Sequence, residues 1–236
     1  MLGMRRQIRR TGMSRSSYPG RMYNPRPHQV HDEAAIRAFV AQVGSGTLVT
    51  ASPARIEATL LPILWSGDTV VAHLAKANPQ AAAISSGAPG LWVVQGPEAY
   101  VSPGWYASKR EHGAGGRARV VPTWNYSVVQ LRGRVCVRDD AAWVRSVVSQ
   151  LTDVQEQAMS TPWGVGDAPE EYIDGQLCAI VGVEMRVESV EAKAKWSQNR
   201  SAADKAGVLA GLRDQGAAAA AEHMAAVLAV SGEQGA

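Results

Sequence analysis

Two ring-rich segments near the middle of the chain carry the residue types best suited to hold a flat ligand. Residues 95–106 contain three large aromatic side chains, and residues 122–126, Pro-Thr-Trp-Asn-Tyr, place two rings around an amide. Rings at the end of a strand usually pack in a core, but a pair of such segments also provides walls for a planar molecule. The candidate contacts within them are Ser102, Trp105, Trp124 and Asn125.

Two polar groups supply the charge and the hydrogen-bond donors that such a ligand would need. Lys76 precedes Asn78 and Pro79, which have the cap-then-proline pattern of a helix start. A lysine beside a helix N-terminus is a favourable local arrangement for a phosphate group. The second group lies later in the chain and consists of Lys195, Ser197, Gln198, Asn199 and Arg200.

The pattern of apolar residues predicts the elements that must position these side chains. Strands are predicted at residues 46–52, 56–65, 68–75, 90–101, 126–138 and 177–188. Helices are predicted after Asp32, from Pro79 to about Ser86, after Asp139 or Asp140, from Ser201 to about Arg213, and from about Ala217 onward. Residues 107–119, rich in glycine and basic side chains, are predicted to form an exposed loop.

The alternation of strands and helices by itself could suggest an α/β protein. However, the gap at residues 66–68 has the length of a hairpin, and regular crossover helices are missing, so an antiparallel barrel is favoured. We find no internal repeat and no second domain. The predicted organisation is a basic, disordered extension at residues 1–21, a barrel domain at residues 22–214, and an alanine-rich helix or tail at residues 215–236.

The basic character of the chain is confined to its first residues. Residues 1–21 contain six of the 24 basic residues and none of the 21 acidic ones, so the remainder has a net charge of −3. This argues against direct recognition of nucleic acid by the body of the protein. The chain has no secretion-signal pattern and no run near the ~18 apolar residues of a membrane span. We therefore expect a cytoplasmic protein in which Cys136 and Cys178, on predicted strands, are reduced and packed.

Short blocks along most of the chain occur in the order found in one protein family. They are residues 22–25, 46–50, 73–80, the two aromatic segments, and residues 180–182 and 195–200. With these blocks the chain resembles the Pai-B family, the FMN-binding negative transcriptional regulators built on a flavin-binding split β-barrel. The resemblance implies an α+β fold that is mainly an antiparallel split barrel with peripheral helices. It also implies a homodimer with the cofactor at its interface, which the open edge of a split barrel favours physically.

The resemblance implies FMN as the cofactor, with His73, Lys76, Asn78 and the group at residues 195–199 among its contacts. Some relatives, the piperazate synthases, are instead haem enzymes that cyclise an N-hydroxylated ornithine and form a nitrogen–nitrogen bond. A neutral imidazole on a rigid strand is a sound axial ligand for haem iron, although a lone strand histidine more often has a structural role. Haem b, with His73 as the metal ligand, is therefore the alternative cofactor.

The chain departs from the family pattern at several positions. Histidines that are common in the family are replaced by Leu60, Glu98 and Gln130, and Trp196 stands where leucine is usual. A retained scaffold with fewer polar pocket residues indicates a changed ligand or reaction.

Three functions therefore stay open: a flavin- or haem-dependent redox enzyme or cyclase, a transcriptional regulator without a helix-turn-helix, and a binding module without turnover. Zinc-ligand spacing, a phosphate-binding loop and a nucleophile elbow are missing from the sequence, which argues against hydrolases and nucleoside triphosphatases. The small-molecule substrate is not indicated by any of these patterns.

Overall fold

The computed structural model describes residues 21–53, 55–84, 86–110 and 120–233. The strands are β1 (Gln29–Val30), β2 (Ser45–Ala51), β3 (Ile56–Pro62), β4 (Leu64–Ser66), β5 (Thr69–Ala75), β6 (Ala88–Val101), β7 (Thr123–Arg138) and β8 (Ile180–Lys195). The helices are α1 (Glu33–Val43), α2 (Pro79–Ala83), α3 (Ala107–Arg110), α4 (Ala141–Glu156), α5 (Glu170–Leu177), α6 (Ala202–Asp214) and α7 (Ala218–Glu233). The strands form one sheet in the order β3-β2-β6-β7-β8-β5-β4, and β1 also pairs with β8.

Strand alternation divides this sheet into an inner face, which encloses the main core, and an outer face. On β5, Val70, Ala72 and Leu74 are buried in the core, and His73 between them points to the outer side. Every strand pairing is antiparallel. The curled antiparallel sheet with helices around it confirms the predicted α+β class and its split barrel. The other strands contribute further side chains to the same core, including Leu48, Trp92, Val94, Leu131, Val183 and Met185.

A second core lies at one end of the sheet, where α6 and α7 pack against β6, β7 and β8. Tyr106, Trp196 and Met224 are fully buried there. The close approach of α6 depends on a small residue, since a Cβ at Gly211 would lie 2.3 Å from the Trp105 ring. The C-terminal helices therefore form part of the packed structure.

Helix α4 covers the outer face beside β5 and β8. Gly182 permits this contact, because a Cβ there would lie 2.0 Å from the Trp143 ring. His73 pairs directly with Gly182, so it lies on the sheet face that α4 covers. Further along, the register of β7 against β8 shifts beside Gly133, where a Cβ would lie 1.8 Å from the carbonyl oxygen of Arg186. The two strands bend at this irregularity.

The predicted helix starts are confirmed by the observed caps. The side chains of Asp32, Asp140 and Ser201 accept hydrogen bonds from backbone N–H groups in the first turns of α1, α4 and α6. Asn78 does the same for α2, which ends at Ala83 rather than at the predicted residue 86. None of the helices in the described ranges combines the length and the apolar character needed to cross a membrane.

The strand predicted at residues 177–188 has wrong boundaries. It begins at Ile180 and continues to Lys195, because its charged second half pairs with β7. The preceding residues form α5, whose Ile173 is the one buried side chain of that helix. Cys178, predicted on a strand, is therefore exposed at the end of α5, whereas Cys136 is half-buried on β7; both are free thiols.

Two further boundaries differ from the prediction. β7 begins at Thr123, so the aromatic segment at residues 122–126 lies almost entirely inside a strand. The strand predicted at residues 56–65 is interrupted after Pro62 and forms β3 and β4. Of the predicted loop, residues 107–110 are helical and residues 111–119 lie outside the described residues, as do residues 1–20 of the predicted extension.

Candidate functional site

The candidate site residues fall into two groups at opposite ends of β8. His73 pairs with Gly182 near the start of this strand, and the Lys76 N–H donates to the carbonyl oxygen of Ala179 just before it. Lys195 ends the strand and pairs with Tyr126. At about 3.3 Å per residue, the two groups are separated by roughly 40 Å of strand. Among the described residues, no hydrogen bond or ion pair joins the two groups.

At the first end, most polar groups are already engaged within the fold. The Lys76 ammonium lies 2.9 Å from a carboxylate oxygen of Asp139, and both side chains are exposed. Asn78 accepts from the Gln80 N–H and donates to the Thr59 hydroxyl (2.9 and 3.1 Å). The backbone carbonyl of Asn78 accepts from the Ala81 N–H, and Pro79 has no N–H to donate. A phosphate here would rely on the Lys76 side chain rather than on the helix start.

His73 lies close to this end, on the outer face and half-buried. Its Nδ1 is buried and has no hydrogen-bond partner among the described residues. Burial lowers the pKa of His73 from its ordinary value of 6.5, so its imidazole is neutral at pH 7. A neutral imidazole with a free ring nitrogen is the form that ligates iron.

The second end carries rings and positive charges on the outer face, which we call the aromatic–basic face. Trp124 is 48% exposed, its ring is tilted against Tyr100 with centroids 6.2 Å apart, and its Nε1–H donates to a carboxylate oxygen of Glu98 (3.2 Å). Exposed rings of this kind form a wall that a planar ligand can contact. The aromatic–basic face consists of Tyr23, Tyr100, Trp124, Tyr126, Lys193 and Lys195.

The two lysines of this face are held by neutral oxygens. Lys195 donates to the Thr123 hydroxyl, and Lys193 donates to the Tyr23 carbonyl at 3.0 Å. Burial lowers the pKa of Lys195; the nearby Tyr126 acts in the opposite direction, and the charge of Lys193 lowers it further. The two lysines would therefore stabilise a negatively charged group bound at this end of the sheet.

Several predicted contacts instead lie on the inner side and support the turn after β8. Asn125 is fully buried, and its Nδ2 donates to the Ser197 hydroxyl (3.2 Å). Ser197 has a left-handed backbone with φ 62°, which marks a tight turn. Gln198 braces that turn by accepting from the Trp196 N–H and donating to the Ala194 carbonyl.

The remaining predicted contacts lie around the same end. Ser102 caps the short 3₁₀ turn Pro103–Trp105 by accepting from the Gly104 N–H, and Trp105 packs against α6. Asn199 is exposed. These residues shape the surroundings of the aromatic–basic face rather than its surface.

Sequence reasoning missed several residues at this end. Lys193 and Tyr23 belong to the face itself, and His28, from the 3₁₀ turn Arg26–His28, lies beside them. For Lys193 the available signal was its spacing from Lys195, since residues two apart on a strand share a face. It also missed His223 of α7, whose Nε2 lies 2.7 Å from the Ser127 hydroxyl. Because Ser127 and His223 are far apart in the sequence, no local sequence pattern indicates their contact.

Comparison with known proteins agrees with this structure. A family model described as "Putative FMN-binding domain" matches residues 22–189. The chain is 29% identical over 198 residues to "Protease synthase and sporulation protein PAI 2" of Bacillus subtilis, a match that covers 82% of this chain and 90% of that protein. An uncharacterised Aspergillus fumigatus protein is 32% identical over 179 residues, 63% of this chain and 67% of that protein.

A solved structure supports the fold assignment. The FAD and haem binding protein from Mycobacterium smegmatis superposes with a TM-score of 0.52 at 15% identity, covering 71% of this chain and 73% of that chain. The chain therefore belongs to the FMN-binding domain family, and the predicted relation to Pai-B is confirmed.

Proposed function

We propose that the protein is a cytoplasmic flavoprotein that binds FMN at the interface of a homodimer and acts as a redox enzyme. The observation that carries the proposal is the separation of the Lys76 and Lys195 groups at opposite ends of β8. A two-fold related copy can place the first end of one chain against the second end of the other. Each dimer then has two equivalent sites, both completed by two chains.

An exposed apolar surface on the outer face supports the dimer. Ile56 and Leu60 on β3 are 76% and 68% exposed. Their strand pairs with β2, which pairs with β6, so half-buried Val49 and Leu91 extend the same surface. Contiguous exposed apolar side chains of this kind mark interaction surfaces, and a second copy of the chain would bury them.

The residues of the aromatic–basic face fit FMN. Trp124 and Tyr100 offer exposed rings for an apolar, planar group, and Lys193 and Lys195 offer positive charge for an anionic one. Lys76 of the other chain would add a third cation. When bound, FMN supplies the electron-transfer chemistry, while these side chains orient it and stabilise its negative charge.

Mixed dimers test whether two chains share each site. Lys76→Ala and Lys195→Met chains are each expected to bind FMN weakly, because every homodimeric site lacks one cation. After the two variants are mixed and allowed to exchange chains, one site of each mixed dimer regains both lysines. We expect parental FMN affinity at half the stoichiometry in that fraction. A mixture that binds no better than either variant alone would contradict the shared site.

Haem is the alternative cofactor, favoured by the neutral imidazole and unpartnered Nδ1 of His73. In that case His73 would supply the axial ligand, and the activity could resemble the nitrogen–nitrogen bond formation of haem-dependent relatives. Transcriptional regulation through direct DNA contact is the weaker alternative, because the chain beyond residue 21 has a net charge of −3.

A further inference from the structure

Three basic side chains lie around the end of β8, at the edge of the aromatic–basic face. Lys193 and Lys195 point to the same side of β8 and are about 7 Å apart along the strand. His28 directly precedes Gln29, the residue that pairs with Lys193 in the sheet. Burial lowers the pKa of His28 most, a side-chain hydrogen bond with Gln198 opposes this, and the charges of the two lysines lower the pKa further.

None of these three side chains has an acidic partner among the described residues. The Lys193 ammonium lies 5.6 Å from the ring centroid of Tyr23 and 5.1 Å from that of Tyr126, and it donates to the Tyr23 carbonyl. The carboxylates nearest in the sheet are already engaged. Glu191 is paired with Arg132, and Glu98 accepts from Gln95 and Trp124.

Such an arrangement is unfavourable without a counter-charge. Lys193 is only 7% exposed, and its hydrogen bond to one neutral oxygen and its contacts with two rings offset only part of the desolvation cost of its ammonium. Two positive side chains on the same face of one strand also repel each other. An oxyanion between them would accept charge-assisted hydrogen bonds from both lysines, and the buried Nδ1 of His28 has no partner in the part of the chain that the structure describes.

We propose that Lys193, Lys195 and His28 form a binding site for an oxyanion, the phosphate or carboxylate group of a small molecule. This site lies on the same face as the proposed flavin site. Oxyanion binding here does not require a flavin; only the identity of the molecule that carries the oxyanion rests on the proposed function. Two sources have the required chemistry. One is the phosphate of the flavin itself, and the other is an anionic substrate bound beside it.

The test measures binding of inorganic phosphate to the full, flavin-free chain by calorimetry. We expect Lys195→Met and Lys193→Met each to weaken phosphate binding about 10- to 100-fold, the loss of one charge-assisted contact. Lys205→Met, on α6 against the inner face, is the matched control and is expected to bind as the parent does. Because Lys193 is buried, circular dichroism checks its variant, and the half-exposed Lys195 gives an independent reading.

A parent chain that binds no phosphate, or folded Lys195 and Lys193 variants that bind it as tightly as the parent, would overturn the proposal. Titrations with FMN and riboflavin then identify the source. If phosphate competes with FMN but not with riboflavin, the flavin phosphate occupies the site; if phosphate binds equally well to the FMN-loaded chain, a second molecule does. A chain that binds phosphate but no flavin retains this site and removes the proposed function.

Discussion

Replacing Ser127 with alanine tests whether one buried hydroxyl holds the C-terminal helix against the sheet. Ser127 is 4% exposed, and its oxygen accepts from the Trp196 Nε1–H at 2.8 Å. The same oxygen lies 2.7 Å from Nε2 of His223, whose ring meets the Trp196 ring edge-on at 5.0 Å. Trp196 can only donate, whereas the serine hydroxyl has two lone pairs and one proton, so the direction of its bond with His223 follows the tautomer of that ring.

The expected loss follows from the two partners that Ser127→Ala would leave unpaired. A buried polar group without a partner costs about 1 to 3 kcal/mol. Trp196 is fully buried and His223 is half-buried, so we expect the free energy of unfolding to fall by about 2 to 4 kcal/mol. Amide exchange in α7 should accelerate as well, because the helix loses its polar attachment to β7.

Urea unfolding monitored by circular dichroism measures this change. The control is Ser146→Ala on α4, an exposed position whose hydroxyl accepts from Gln150, and its effect is expected to stay within about 0.5 kcal/mol. If Ser127→Ala unfolds within that same margin of the parent, the hydroxyl does not hold α7 and the reasoning is refuted.

Three more perturbations have defined outcomes. Gly133→Ala should cost about 3 kcal/mol of stability in urea unfolding, the upper end for overpacking, because its Cβ meets the Arg186 carbonyl. Gly166→Ala, with open space around it, should be near neutral, and equal effects of the two changes would contradict the close strand approach. Burial lowers the pKa of His73 and His223 below 6.5, so stability is full above pH 6.5 and decreases as pH falls through the folded pKa values. A urea midpoint that stays constant from pH 7 to 5 would disagree. His73→Ala should leave the spectrum of bound FMN unchanged but abolish or shift the Soret band of a haem-loaded chain, and an unaltered haem spectrum would exclude His73 as ligand.

Local chemistry explains what the sequence could predict. Asp32, Asp140 and Ser201 mark helix starts because their side chains bond to nearby N–H groups, and such short-range bonds depend on few residues. The apolar residues at 68–75 likewise predicted the strand that carries His73, which the structure forms as β5. The antiparallel fold class followed from these elements together with the hairpin-length gap before β5.

Long-range pairing explains what the sequence could not predict. The second half of β8 alternates small apolar residues with charged ones from Val190 to Lys195, a weakly apolar pattern, and its extent as a strand is set by its pairing with β7. The candidate site was predicted as one set of residues, yet β8 separates Lys76 from Lys195. Strand alternation turns Asn125 to the inner side, where it bonds to Ser197 of the turn after β8. His28 reaches Lys193 only through the pairing of β1 with β8.

The most direct test of the account is the absorption spectrum of the purified full-length protein, followed by titration of the cofactor-free chain with FMN. We predict flavin bands and saturation at one FMN per chain, with weaker binding of riboflavin because the lysines of both ends favour the phosphate. A spectrum dominated by a haem Soret band, or a cofactor-free chain that does not take up FMN, would contradict it.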